Sequence, residues 1–225
     1  MIRLHIIAEG QTEETFIRDL LSEHLGGFNI STDVRCVNPG SKPKRSRADR
    51  GGVLNYENAK KDIQRWLRED KNKDARFTSM FDLYALPDNF PGFDEAKKYS
   101  NPYEKIQYLE QAFGADISDY RFLPYIQLHE FEALILSAPS RLNNIFEGYE
   151  EAIEQLVKEC EGYESPELIN QGKTTAPSKR IIQAIPVYSK TSDGLTIVQS
   201  IGLDNIRSKC PHFNQWIARL ENFQV

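Results

Sequence analysis

Three carboxylates in this chain stand where α/β proteins usually place their working groups. Glu9 follows the apolar run Ile2 to Ala8 and precedes Gly10, Asp82 closes the apolar run from Arg76, and Glu130 follows the apolar stretch that ends at Leu128. Carboxylates gathered at neighbouring strand ends repel one another unless some are protonated or a cation sits between them. Mg2+, or Mn2+, suits such oxygen donors and keeps water molecules that a substrate phosphate can displace. Glu13, one helical turn beyond Glu9, reaches the same place if the turn at Gly10 brings the helix start inward. It suits a helix N-terminus beside Thr12 equally well, so ligation and capping both stand. Asp88, in Pro87-Asp88-Asn89, is either a further ligand or a turn residue. His129 is either a catalytic group beside Glu130 or a histidine satisfied inside the core. Glu130 and Glu132 face different ways in any regular element, and Glu130 is expected to be the one that enters the site.

Cations would complete such a site. In Thr175-Ala176-Pro177-Ser178-Lys179-Arg180, Pro177 suits a first helical turn, whose free amides favour phosphate. Lys179 and Arg180 are therefore candidates to stabilise transition-state charge, against the plainer reading of a solvated helix face, and Lys173 is a weaker one. The stretch from Asn38 to Gly52 carries Lys42, Lys44, Arg45, Arg47 and Arg50 against the single anion Asp49. Either it is a solubilising loop or it tracks a nucleic-acid backbone, a contact independent of sequence and weakened by salt. A zinc hydrolase built on His129-Glu130-Phe131-Glu132 is not supported, because no second histidine follows one turn later.

The elements that must position these groups follow from periodicity. Ile2 to Ala8 reads as a strand, Thr12 to Leu25 as a helix, and Phe28 to Val37 as a second strand. Tyr56 to Leu67 has helical spacing, Arg76 to Tyr84 reads as a strand ending at Asp82, and the Pro-rich segment after it as a long loop. Tyr103 to Phe113 is expected to be a helix and Arg121 to Leu128 a fourth strand. Beyond Ser140 come short helices: Tyr149 to Cys160, Pro177 to Ile185, Ser200 to Arg207 and Pro211 to Phe223. Strands alternating with helices imply a largely parallel sheet, whose working residues gather at the carboxyl ends of its strands. The organisation expected is an α/β domain over residues 1–140 with a mostly helical extension, 141–225, packed on it.

The 225 residues, 40% hydrophobic and 27% charged with a net charge of −5, describe an ordinary globular chain. That balance argues against coating nucleic acid through a general positive field, though not against a local basic patch. No apolar run approaches the roughly 18 residues of a membrane helix, so no membrane partner and a cytoplasmic location are expected. Cys36, Cys160 and Cys210 are too few and too far apart for a disulfide framework or a zinc knuckle.

Taken together, EGQTEETF, TSMFDLYALPDNFPG, PYIQLHEFEALILS, PELIN, TAPSKRI and IGLDNIRSKCPHFNQWI resemble a bacterial family of unknown function, numbered 4276 among such domains and assigned to the Toprim-like fold. The similarity spans nearly the whole chain. Toprim domains occur in topoisomerases, primases and OLD-type nucleases. The resemblance implies a small, largely parallel sheet between helices, and a glutamate and an Asp-x-Asp pair that hold magnesium for phosphodiester cleavage. Glu9 looks like the Toprim glutamate, Glu13 is similar to the second glutamate of the OLD-type variant, and Asp82 looks like the first aspartate. Tyr84 stands where the second aspartate would be, leaving Asp88, Glu130 or Glu132 to replace it, or one metal instead of two. The resemblance further implies a magnesium-dependent nuclease, a hydrolase acting in bacterial, anti-phage defence beside a partner ATPase. The chain has no GxxxxGK[ST] loop of its own. A non-catalytic regulatory or interaction subunit with a degenerate metal site is the alternative that Tyr84 keeps open.

Overall fold

A computed structural model describes residues 1–37, 55–170 and 175–223. The basic stretch with Lys42, Lys44, Arg45, Arg47 and Arg50, and Lys173, lie outside the described residues. By backbone contacts the chain divides into two units. One comprises Met1–Ile126 with the chain from Glu221 on, and the other Gln127–Leu220, a division upstream of the expected boundary at 140.

The first unit is built on strand β1, Ile2–Ala8, which is buried along almost its whole length. Such a continuous apolar run belongs at the centre of a sheet covered on both faces. β1 pairs in parallel with β2, Ile30–Cys36, from Ile2 opposite Ile30 to Ala8 opposite Cys36. On its other side it pairs in parallel with β3, Ala75–Asp82, from Arg3 opposite Ala75 to Ala8 opposite Met80. β4, Phe122–Leu123, continues the parallel order as β2-β1-β3-β4, and β5, Ile126–Gln127, also pairs with β3 to make five strands. β2, at the sheet edge, alternates buried and exposed residues only at its start and is largely exposed beyond.

The expected strand over Arg121 to Leu128 is thus two short strands separated by Pro124 and Tyr125. Proline has no N–H to give a ladder. Ser79 replaces the lost pairing: its hydroxyl donates to the carbonyl of Tyr125 at 2.9 Å and accepts the N–H of Tyr125 at 3.0 Å.

Between β1 and β2 the chain runs through α1, Gln11–Phe16, a π-helical turn, Ile17–Leu21, and α2, Ser22–Gly26. Phe16, Ile17, Leu21 and Leu25 are fully buried, as the sequence spacing predicts. In the π turn the carbonyl of Ile17 accepts both the backbone N–H of Ser22 and its hydroxyl, the latter at 2.8 Å. α3, Tyr56–Glu69, is capped by Asn55, whose side chain accepts the N–H of Asn58 at 3.0 Å. After β3, a 3-10 turn at Leu83–Ala85 and the four-residue helix α4, Phe93–Ala96, punctuate the long loop. α5, Pro102–Ile117, starts on Asn101, which accepts the N–H of Tyr103 at 2.8 Å, with Pro102 in the first turn.

The second unit is helical beyond Gln127: α6, Glu132–Ile135; α7, Glu150–Glu161; α8, Pro177–Ala184; α9, Lys190–Ile201; α10, Leu203–Lys209; and α11, Pro211–Glu221. The helix expected over Ser200 to Arg207 is in fact the end of α9 and most of α10, divided by Gly202 at φ +84°. That left-handed conformation suits glycine and stops a helix. α6 packs against α8 and α9, and its four residues are all buried. Among the described residues no helix is long and apolar enough to cross a membrane.

Candidate active site

The parallel register carries the ends of β1 and β3 to the same level. The N–H of Glu9 donates to the carbonyl of Met80 at 3.1 Å, and the N–H of Asp82 donates to Oε2 of the Glu9 side chain at 3.0 Å. The structure therefore brings Glu9 and Asp82 together, as their positions after two apolar strands suggest. Asp82 is only 5% exposed, and Glu9 lies at the partly open rim of the sheet.

Glu13 is buried in the first turn of α1, and its Oε2 accepts the N–H of Gly10 at 3.1 Å. It performs the back-reaching half of a capping box from the third helical position. Because Gly10 is the chain neighbour of Glu9, this capping contact also holds a second carboxylate beside the end of β1. Gly10 occupies the cap position, and Thr12 lies inside the helix.

Negative potential at this end of the sheet registers on Cys36, the last residue of β2. Its Sγ donates to Oε2 of Glu14 at 3.4 Å. Partial burial of the sulfur, followed by the carboxylates of Glu14 and Glu13, pushes the thiol up to about 12. A pKa raised that far favours the protonated thiol at neutral pH.

Tyr84 sits in the 3-10 turn after β3 and is 40% exposed. Asp88 is exposed in a turn closed by the N–H of Phe90 donating to the carbonyl of Pro87 at 2.9 Å. Its place matches the turn reading. Tyr99 and Tyr108 have their ring centroids 5.3 Å apart, and the Lys98 ammonium lies 5.1 Å and 5.4 Å from them. Among the described residues no three His, Cys, Asp or Glu side chains form a metal-binding group. Glu9 and Asp82, at neighbouring strand ends, and Glu13, close in the chain, carry hard oxygen donors. Magnesium is commonly held by one or two carboxylates with water and substrate phosphate filling its other positions, so this donor set fits it.

The remaining candidates belong to the second unit. Oε2 of Glu130 accepts the N–H of Ser178 at 2.9 Å, which makes Glu130 a side-chain cap for α8. The first turn of α8, expected to favour phosphate, thus already has a carboxylate on one of its amides. Lys179 is exposed on that turn. Arg180 is only 13% exposed along its side chain: it donates to the carbonyl of Thr175 at 3.0 Å, to Glu159 at 3.1 Å and to the hydroxyl of Tyr163 at 3.2 Å. These bonds tie α8 to α7, and Arg180 would have to give some up to meet a phosphate.

His129 is 7% exposed and holds φ at +64°, a left-handed conformation uncommon away from glycine. Its Nδ1 lies 3.2 Å from Nδ2 of Asn170. Glu132, at 1% exposure, receives the Tyr188 hydroxyl at 3.3 Å and has the Lys190 ammonium at 3.6 Å. It is an internal partner of α9 and the turn before it.

Sequence reasoning passed over Asn170 and Glu167. Glu167 is fully buried, and its two carboxylate oxygens accept the N–H groups of His212 at 2.9 Å and Phe213 at 2.8 Å. It caps α11 from a point 45 residues earlier. The only signal was Pro211, which marks a helix start lacking a local capping side chain.

No curated protein and no solved structure matches the chain. A family model described as Domain of unknown function (DUF4276) matches residues 8–221, so the chain belongs to the DUF4276 family.

Proposed function

We propose that this protein is a magnesium- or manganese-dependent phosphodiester-cleaving nuclease whose cation is held by Glu9 and Asp82. The observation that carries this reading is the hydrogen bond from the Asp82 amide to the Glu9 carboxylate at the carboxyl ends of two adjacent parallel strands. A glutamate fixed in place by its neighbour's backbone is preorganised and loses little freedom on taking a ligand. Glu13, held on Gly10, adds negative potential. A cation bound there would neutralise charge on a scissile phosphate and lower the pKa of a bound water. The resemblance to Toprim domains supplies the reaction class, and the role in bacterial defence beside a partner ATPase is proposed on the same ground.

The chain's own groups supply the rest. Exposed Lys179 is assigned to a phosphate contact in the second unit, independently of the cation site, whereas the buried ring of His129 is assigned to the interior beside Asn170. The basic residues from Lys42 to Arg50 are assigned to the nucleic-acid backbone, with affinity that falls as salt rises. Arg180 is assigned a structural role between α7 and α8.

The alternative, a non-catalytic subunit with a degenerate site, is favoured by two observations. Tyr84 stands where the resemblance would put the second aspartate, and no three-residue metal-binding group forms among the described residues. Incubation with single- and double-stranded DNA and with RNA, in magnesium or manganese, separates the two. Cleavage by the parent that is lost in Glu9→Gln supports the nuclease. Cleavage that persists in Glu9→Gln removes Glu9 from catalysis, and inactivity of the parent on every substrate favours the subunit.

A further inference from the structure

β2 ends the sheet on one side, and among the described residues no strand pairs with its outer edge. The N–H of Val37 donates to the carbonyl of Ala8 at 2.9 Å, and the N–H of Ile2 donates to the carbonyl of Asn29 at 3.2 Å. The odd-numbered residues here therefore turn their backbone groups to β1. By the alternation of a strand, the N–H and C=O groups of Ile30, Thr32, Val34 and Cys36 point outward. Such a row is a template for another strand unless the edge is blocked. β2 is seven residues long, contains no proline, and keeps an unbroken register with β1.

Its two charged residues, Asp33 and Arg35, flank Val34 and share one face of the strand. Arg35 is held in place, with its guanidinium 4.1 Å over the Trp66 ring and Nη1 2.9 Å from Oε2 of Glu69. The Asp33 side chain is 56% exposed. Its ionic contacts, Nδ1 of His5 at 3.6 Å and Nη2 of Arg35 at 3.9 Å, are both loose and both fall on Oδ2.

We propose that the outer edge of β2 is a homodimer surface, on which β2 of a second copy pairs antiparallel about a two-fold axis at Val34. In that register Val34 faces the partner's Val34, and Thr32 faces the partner's Cys36, as hydrogen-bonded pairs of outward residues. Asp33 then lies directly across from the partner's Arg35, twice over, in the closer pairs between those bonds. Opposite charges across an antiparallel pair are favourable and like charges are not. Moving the axis to Asp33 or to Arg35 sets like charges against each other, and moving it to Thr32 leaves Arg35 with no acid across from it. The contact is self-complementary and closes at two copies. A strand edge buries less area than a standard stable interface, so association in the micromolar range is expected.

Sedimentation of the full chain across the micromolar range, under reducing conditions that exclude a Cys36 disulfide, tests the surface. The parent is expected to be in monomer–dimer equilibrium. Asp33→Arg sets two positive charges against two positive ones, and Arg35→Asp sets negative against negative. Each alone is expected to weaken the dimer at least about tenfold. An equimolar mixture of the two variants pairs every positive charge with a negative one and is expected to dimerise again, as is the double exchange Asp33→Arg with Arg35→Asp. Circular dichroism reports that each variant is folded.

A parent that stays monomeric throughout this range overturns the proposal. Protection of the Thr32 and Val34 amides from hydrogen exchange in such a monomer would mean that one chain covers its own edge. A dimer indifferent to both single substitutions places the contact elsewhere and also overturns it, and folded single variants that fail to dimerise on mixing overturn the register. If one single variant does not fold, the parent and the double exchange still decide.

Discussion

The backbone N–H of Asp82 donates to the carboxylate of Glu9 at 3.0 Å, joining the first residue beyond β1 to the last residue of β3. Hydrogen bonds to an ionised acceptor are about twice as strong as neutral ones. The bond holds one oxygen of Glu9 in place while the two acidic side chains are kept at adjacent strand ends.

Replacing Glu9 by Gln keeps an oxygen that accepts the Asp82 amide and removes the charge. The Glu9→Gln protein is expected to fold with a thermal midpoint equal to or above the parent's. Magnesium at about one hundred times its Kd should stabilise the parent by about 2.7 kcal/mol. Little of that gain should remain in the variant, and thermal unfolding with and without magnesium measures both effects.

Glu167 anchors α11 through two charge-assisted bonds inside the second unit. Glu167→Ala should cost roughly 2–4 kcal/mol, because two buried amides lose their acceptor together. Glu167→Gln, which keeps one good acceptor, should cost less. Denaturant unfolding of the three proteins gives the order.

Asp70 contributes to the acid sensitivity of the first unit. It bonds Arg3 at 2.8 Å and Nε2 of His5 at 3.0 Å, on a ring packed against Trp66 and Phe77. Burial alone would raise its pKa, but hydrogen bonds from the Asn72 amide, His5 and the Asn72 side chain, with the charge of Arg3, lower it from 3.8 to about 2. Because the folded pKa is depressed, this stabilisation is fully present above the ordinary carboxylate value and is lost as pH falls from about 4 towards 2. A shift of that size corresponds to roughly 2 kcal/mol. The stability gap between the parent and Asp70→Asn should shrink by about that amount across this window, as read by denaturant midpoints at each pH.

Gly92 precedes α4 at φ +73°, and a Cβ there would lie 2.8 Å from Cβ of Ala112 and 2.9 Å from Cε1 of Tyr108. Both the backbone conformation and the close approach of α5 oppose a side chain. Gly92→Ala should lose about 2 kcal/mol or more, whereas Gly148→Ala, at φ +81° but with open space around it, should lose less. Thermal midpoints of the two variants compare them.

The sheet was legible because its central strands are apolar almost throughout, as in Leu4 to Ala8, a pattern that only a doubly covered strand tolerates. The pairing of Glu9 with Asp82 followed from the rule that parallel strands end together. Pro124 hid the division of the fourth strand, because its repair depends on Ser79, 46 residues from Tyr125. α9 was missed because Gly194 interrupts its pattern, and that glycine is buried within the helix. Spacing alone did not separate capping from ligation for Glu13, since both ask for an acid one turn beyond Glu9. Glu167 and Asn170 act at a distance through backbone and ring atoms, contacts that no local pattern encodes.

The claim that Glu9 and Asp82 hold the cation is tested most directly by titrating Mn2+ into the parent, Glu9→Gln and Asp82→Asn by isothermal calorimetry. One site is expected in the parent, weakened at least about tenfold in each variant, or about 1.4 kcal/mol in binding free energy. Equal affinity in all three folded proteins would contradict it.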